Sequence, residues 1–179
     1  GFKIKAHYGG PAIQSQIDAV EELIPDVYDI DILPMAELKQ NQLVTMIDME
    51  QEYIDHVRKN FDIDKINSCG LKFGYDAMYG AGQNVIRRLI PNATLLHADY
   101  NPSFDGQAPE PIARNLSEFS NLIANSDIDS GLATDGDADR IGLFDDNGKF
   151  VDSHHIILLL IRYLVEFKQE EGNVYTSFS

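Results

Sequence analysis

Apolar positions change rhythm along this chain, and the changes mark out its elements. From residue 48 onward, helical spacing and short apolar runs alternate. Asp48 followed three residues later by Gln51 reads as a capping box, and Tyr53, Ile54, Val57 and Phe61 then share one helical face. Leu71–Tyr75 is a short apolar run of strand type, and Gly80-Ala81-Gly82 is a tight turn. Val85, Ile86, Leu89 and Ile90 mark a helix that Pro91 ends, and Thr94–Ala98 is a second strand. A loop with Pro102, Pro109 and Pro111 follows. Leu116, Phe119, Leu122 and Ile123 then predict another helix, and Gly131–Thr134 a third strand. Ile141–Phe144, the Asn147-Gly148 turn and Phe150–Asp152 predict a hairpin. Strand, helix, strand, helix, strand at this spacing predicts an α/β fold, a βαβαβ mixed or parallel sheet flanked by helices, with right-handed crossovers.

The two ends read differently. Pro11 opens a stretch with apolar residues at Ile13, Ile17, Val20 and Ile24, closed by Pro25, which predicts an amphipathic helix with proline in its first turn. Residues 26–47 are weakly patterned, with a strand expected at Leu43–Ile47, and are the expected domain boundary. From His154 to Lys168 one apolar stripe (Ile157, Leu160, Leu164, Phe167) lies beside a second (Ile156, Leu159, Tyr163), as in a helix covered from two sides. Asn173–Ser179 reads as a strand that the sequence enters without leaving. With Gly1-Phe2-Lys3 at the other end, the expectation is a piece of a longer protein.

Composition narrows the function. Fourteen Lys and Arg against 29 Asp and Glu give a net charge of −15, which excludes a generic phosphate-backbone binder and disfavours an anionic membrane surface. At 44% hydrophobic and 24% charged the chain is of core-forming type. Its longest apolar run, Ile156–Ile161, is far below the ~18 residues of a membrane span. Cys69 is the only cysteine, so there is no intrachain disulfide, and it reads as a small packing residue.

The chemistry concentrates in Asp135-Gly136-Asp137-Ala138-Asp139-Arg140. Fully extended, alternate side chains of this run would stand about 7 Å apart, too far to share an ion. The small spacers allow a curl, with Gly136 expected to supply a positive φ. Curled, Asp135, Asp137 and Asp139 offer three hard oxygen donors and about three negative charges, a set suited to Mg²⁺. A solvated acidic turn is the plain alternative for so acidic a chain. An EF-hand is not, because its sixth and twelfth positions, Gly and Glu, are Arg140 and Asp146 here. Gly80-Ala81-Gly82 lacks the third glycine of a dinucleotide fingerprint, Val85 standing there. His154 and His155 have no Cys or His partner at ligand spacing and read as helix-start residues packed near the hairpin.

Thr134-Asp135-Gly136-Asp137-Ala138-Asp139-Arg140, followed by an apolar strand and a glycine-bearing turn, resembles the metal loop of the α-D-phosphohexomutases, the phosphoglucomutase/phosphomannomutase enzymes. Gly1-Phe2-Lys3, Tyr75-Asp-Ala-Met-Tyr-Gly-Ala-Gly82 and the Asn101-Pro to Pro109-Glu110-Pro111 loop resemble further family segments. The resemblance implies that residues 1–44 are the tail of a first domain and its linker, 45–153 a second domain, and 154–179 the opening of a third. It implies an enzyme of cytoplasmic sugar-phosphate metabolism that interconverts hexose 1-phosphates and 6-phosphates through a phosphoserine and a hexose 1,6-bisphosphate. Asp135, Asp137 and Asp139 match the Mg²⁺ ligands, Arg140 a residue beside the phosphate, and Lys3 a proton-transfer or electrostatic partner near the serine. The family's phosphoserine lies in a Ser-His-Asn-Pro loop that this sequence lacks. The expectation is therefore that these residues alone are inactive without the remaining domains of the same protein, and that neither nucleic acid nor membrane is a partner. The alternative is a non-catalytic acidic α/β module holding a divalent cation.

Overall fold

A computed structural model describes residues 2–27 and 32–175. The chain divides into two compact units, Gly1–Ile47 and Asp48–Ser179. In the first, an antiparallel bridge joins Lys5 to Pro11 across a turn, and helix α1 (Gln14–Glu21) follows. Pro11 therefore lies outside the helix rather than in its first turn. The amide of Ile13 donates to the Gln16 side chain at the helix start. Helix α2 (Met35–Gln40) ends where the Leu43 amide donates to the Leu38 carbonyl and Gln42 turns left-handed (φ 57°). The strand expected at Leu43–Ile47 is absent: the stretch is irregular and finds no ladder partner among the described residues.

The second unit is the α/β body. Helix α3 (Met49–Asn60) starts at Asp48, whose carboxylate accepts the Gln51 amide at 2.9 Å. Only this half of the capping box forms, because the Gln51 side chain reaches instead to Asp55 and Arg88. A short helix α4 (Ile63–Ser68), capped by Asp62, buries Ile63 against Ile54 and Leu89. Strand β1 (Phe73–Asp76), helix α5 (Gly82–Leu89), strand β2 (Thr94–Leu96), helix α6 (Ser117–Ala124) and strand β3 (Ser130–Thr134) complete the alternation. Strands β4 (Ile141–Phe144) and β5 (Phe150–Val151) form the hairpin. The sheet order is β2-β1-β3-β4-β5, with β2, β1 and β3 parallel and β4 and β5 antiparallel.

Period-two alternation explains how the sheet is covered. On one face Gly74 and Gly131, paired in register, present no side chain, and Phe119 and Ile123 of α6 sit directly on them. On the other, Tyr75 packs with Ala77, Ala98, Ile86 and Leu132. Gly82 passes so close that a Cβ there would meet the Tyr75 hydroxyl, which hydrogen-bonds Thr134 Oγ1 at 2.6 Å.

Helix α7 (Ser153–Arg162) continues into a π-helical turn, Tyr163–Phe167, in which the Lys168 amide reaches back to the Tyr163 carbonyl. Most of its apolar residues, Leu158, Leu160 and Val165 among them, are exposed, while Ile156 and Ile161 are half-buried. His154 and His155 are exposed rather than packed near the hairpin. The Asp152 carboxylate caps the helix by accepting the His155 amide, and the His155 ring stands 3.0 Å from it. Of the strand expected at Asn173–Ser179, residues 173–175 are irregular and the rest lies outside the described residues, as does Gly1. No helix among the described residues is long and apolar enough to cross a membrane.

Candidate metal centre

The acidic run is the connection between β3 and β4. Thr134 pairs with Ile141, and residues 135–140 curl back between them. Asp135 is the anchor. It is buried at 4% exposure, and its Oδ1 accepts the amides of Asp139 and Arg140, each at 2.9 Å. The Ala138 amide donates to the Asp135 carbonyl. The left-handed residue of the curl is Ala138 (φ 59°), not Gly136. The Asp135 carboxylate fixes the two amides that follow Ala138, and so offsets the cost of a side chain at positive φ. Gly136 serves close packing instead: a Cβ there would lie 3.1 Å from Pro109 Cγ, a tight contact.

This curl brings Asp135, Asp137 and Asp139 together, with one carboxylate oxygen of each within 4.8 Å of the others. Asp137 and Asp139 are exposed. Oxygens on opposite sides of one Mg²⁺ stand about 4.2 Å apart, and of one Ca²⁺ about 5 Å. Small rotations of the exposed Asp137 and Asp139 side chains bring the three donors to the spacing that one divalent cation needs. Arg140 Nε lies 3.4 Å from Asp135 and 3.8 Å from Asp139, and the Arg140 side chain is two-thirds exposed. Three carboxylates against one guanidinium leave the loop net negative, and all the donors are hard oxygens, so the set fits a divalent cation. Lys3 belongs to the first unit, exposed in the irregular run before the Lys5–Pro11 bridge.

Burial opposes the charge on Asp135, but the amides of Arg140 and Asp139 and the Arg140 guanidinium outweigh it and hold the carboxyl below the usual range. Near and below the ordinary Asp pKa the unfolded chain therefore binds the proton more readily. The stabilisation from Asp135 is present above that pKa and is lost as pH falls through the depressed folded value. In metal-free buffer Asp135→Asn should flatten the fall of the urea midpoint below about pH 4. A wild-type slope in that variant would refute the assignment.

Sequence reasoning missed Asp76 and His97 at the ends of β1 and β2. Asp76 is 1% exposed and accepts the Met78 amide at 2.8 Å. His97 Nδ1 stands 3.0 and 3.1 Å from its two oxygens. Burial pushes the Asp76 carboxyl up, against the pull of the Met78 amide and His97. The sequence marks Asp76 as an acid closing an apolar strand ahead of a glycine turn, inside the Tyr75–Gly82 segment, but gives neither residue a role.

A carboxylate loop at the carboxyl ends of the parallel strands of an open α/β sheet is where such folds place polar ligands, and it defines a cation-competent α/β domain. Known proteins narrow this further. A family profile described as phosphoglucomutase/phosphomannomutase, alpha/beta/alpha domain II, matches residues 51–148. The chain belongs to that family. A Thermococcus kodakarensis phosphopentomutase is 35% identical over 104 residues, covering 56% of this chain and 23% of that protein. A Methanothermobacter thermautotrophicus protein assigned as a phosphoglucosamine mutase is 29% identical over 119 residues, 66% of this chain and 26% of its own length. The chain thus spans about a quarter of these relatives. A Thermus thermophilus structure assigned as a phosphomannomutase superposes with a TM-score of 0.68 at 24% identity, over 90% of this chain and 36% of that one. At that identity the likeness speaks for the fold.

Proposed function

We propose that the protein to which this sequence belongs is a Mg²⁺-dependent phosphohexomutase, an isomerase that interconverts hexose 1-phosphates and 6-phosphates through a phosphoserine and a hexose 1,6-bisphosphate. One observation carries the reading. Three aspartate carboxylates approach within 4.8 Å at the end of a parallel strand, in a chain of this family. Asp135, Asp137 and Asp139 would hold the cation. Bound there, a divalent ion supplies neutralisation of charge on a phosphoryl group. Arg140 carries, on a mostly exposed side chain, a forked guanidinium that suits phosphate oxygens better than a lysine would. Lys3 is assigned to proton transfer or electrostatic support beside the serine. Residues 1–44, 45–153 and 154–179 correspond in this reading to the end of a first domain with its linker, a second domain, and the start of a third. The protein would act in the cytoplasm.

The test is turnover by the full-length protein on glucose, mannose and glucosamine phosphates, before and after chelation. Activity should fall at least about a hundredfold with EDTA and return with Mg²⁺. Residues 1–179 alone should show none, since no Ser-His-Asn-Pro segment stands in them. Turnover indifferent to chelation would overturn the metal dependence, and turnover by residues 1–179 would overturn the need for the other domains. Cation binding without turnover on any hexose phosphate would favour the non-catalytic module.

A further inference from the structure

The turn after β1, residues 77–81, has no part in the function proposed above, yet it concentrates backbone strain. Met78 (φ 45°) and Tyr79 (φ 59°) are consecutive left-handed residues with side chains, and His97 (φ 46°), at the end of the neighbouring strand, is a third. Such conformations persist only where the surroundings over-determine them. Here the determinants are visible. Asp76 holds the Met78 amide and the His97 ring together. The Tyr79 amide donates to the His97 carbonyl at 2.8 Å, and the Ala77 amide to the Leu96 carbonyl at 3.1 Å. The Tyr79 ring packs on the His97 ring with centroids 4.9 Å apart. A simple turn cap would need only one acceptor for the Met78 amide. A buried carboxylate that also engages an imidazole fixes both strand ends at once.

The far end of this turn rests on the acidic loop. A Cβ on Gly80 would lie 2.6 Å from the Asp135 carbonyl oxygen and 2.9 Å from that of Gly136, so the two backbones are in direct contact. The Ala81 amide donates to the Gly136 carbonyl at 3.0 Å. A shift of the turn therefore moves the peptide groups that flank Asp135 and lead into Asp137.

We infer that Asp76 and His97 are positioning residues for the carboxylate loop: their pairing sets the strained turn 77–81, and the turn sets where the Asp135–Asp139 backbone lies. The inference rests on reading that loop as the cation site. Neither residue touches the cation, so their effect is on how well the three carboxylates are prearranged.

The probe is Mn²⁺, titrated into the full-length protein and followed by the resonance signal of the free ion. The temperature is one at which circular dichroism shows every variant folded. Asp137→Asn, which removes a donor, reports on the cation site itself. Asp76→Ala should weaken Mn²⁺ binding about tenfold, the lower end of what losing a ligand's outer partner costs. His97→Gln should weaken it severalfold. Asp76→Asn, which keeps an oxygen for the Met78 amide, should stay within about threefold of wild type. Rescue of affinity by the amide at unchanged circular dichroism is what a merely structural role would not give. If wild type binds and Asp137→Asn does not, while Asp76→Ala and His97→Gln bind as wild type, the inference is overturned and the cation site stands. If wild type itself does not bind, both fall. Should Asp76→Ala not fold, the quarter-exposed His97 decides the matter through His97→Gln.

Discussion

Asp137→Asn should lower turnover of the full-length protein by about 10²–10³-fold, while its unfolding free energy moves by less than about 0.5 kcal/mol. The asymmetry follows from what each carboxylate of the loop does. Asp135 is buried and holds two backbone amides, so its loss would unmake the curl as well as remove charge. Asp139 leans on Arg140. Asp137 is exposed and makes no hydrogen bond to the described residues, so the fold draws nothing from it. The amide keeps the shape and one neutral oxygen donor and removes one of the three negative charges gathered in the loop. The loss should appear in kcat rather than in KM if the charge acts on the phosphoryl group in transit. Kinetics beside urea denaturation of the same preparation measure both quantities. Wild-type turnover in a folded Asp137→Asn protein would remove Asp137 from the ligand set.

How far the sequence disclosed this structure depended on the range of the forces involved. The alternation of β1, α5, β2, α6 and β3 was legible because each element carries its own period and its own stops, Pro91 and the Gly80-Ala81-Gly82 turn among them. The Leu43–Ile47 stretch has strand-like residues but no partner among the described residues, and pairing is a property of the whole sheet. Helix α4 escaped notice because six residues show little more than one turn of period, and its burial comes from Ile54 and Leu89 elsewhere in the chain. In the acidic loop the crowding of carboxylates was legible, since only a curl relieves the 7 Å spacing of alternate strand residues. The device that achieves it was not: Ala138, rather than Gly136, takes the positive φ, and it does so because the Asp135 carboxylate reaches amides four and five residues on. Asp76 and His97 stand 21 residues apart and meet only because β1 and β2 pair in parallel, Asp76 beside Leu96.

Phe119→Ala should cost about 3–5 kcal/mol, the upper part of the range for core truncations, from a total that for domains of this kind is about 5–15 kcal/mol. Truncation costs least where neighbours can collapse into the space. Around Phe119 they cannot. Gly74 and Gly131 stand beside each other in the sheet, and a Cβ on Gly74 would lie 3.2 Å from the Phe119 ring, on Gly131 3.0 Å. The floor of the cavity is thus sheet backbone, and the side chains nearest to it, Ile123 and Ile128, are already seated on Gly131 and Gly74. Its wall is Phe144, edge-on to Phe119 at 5.3 Å and itself edge-on to Phe150 at 5.3 Å, and turning it would break the second contact. The urea midpoint should fall without change in the slope of the transition, which reports the surface exposed on unfolding. A cost below about 1 kcal/mol would show that α6 closes onto the glycines. Cation affinity, measured well inside the folded baseline, should stay within about twofold of wild type. The Asp135 carboxylate closes the loop through bonds to Asp139 and Arg140 that do not pass through α6, and Met78, which shares the Phe119 cluster, is held in its turn by the Asp76 carboxylate, so the truncation lowers the population of folded protein and leaves the site in that population intact.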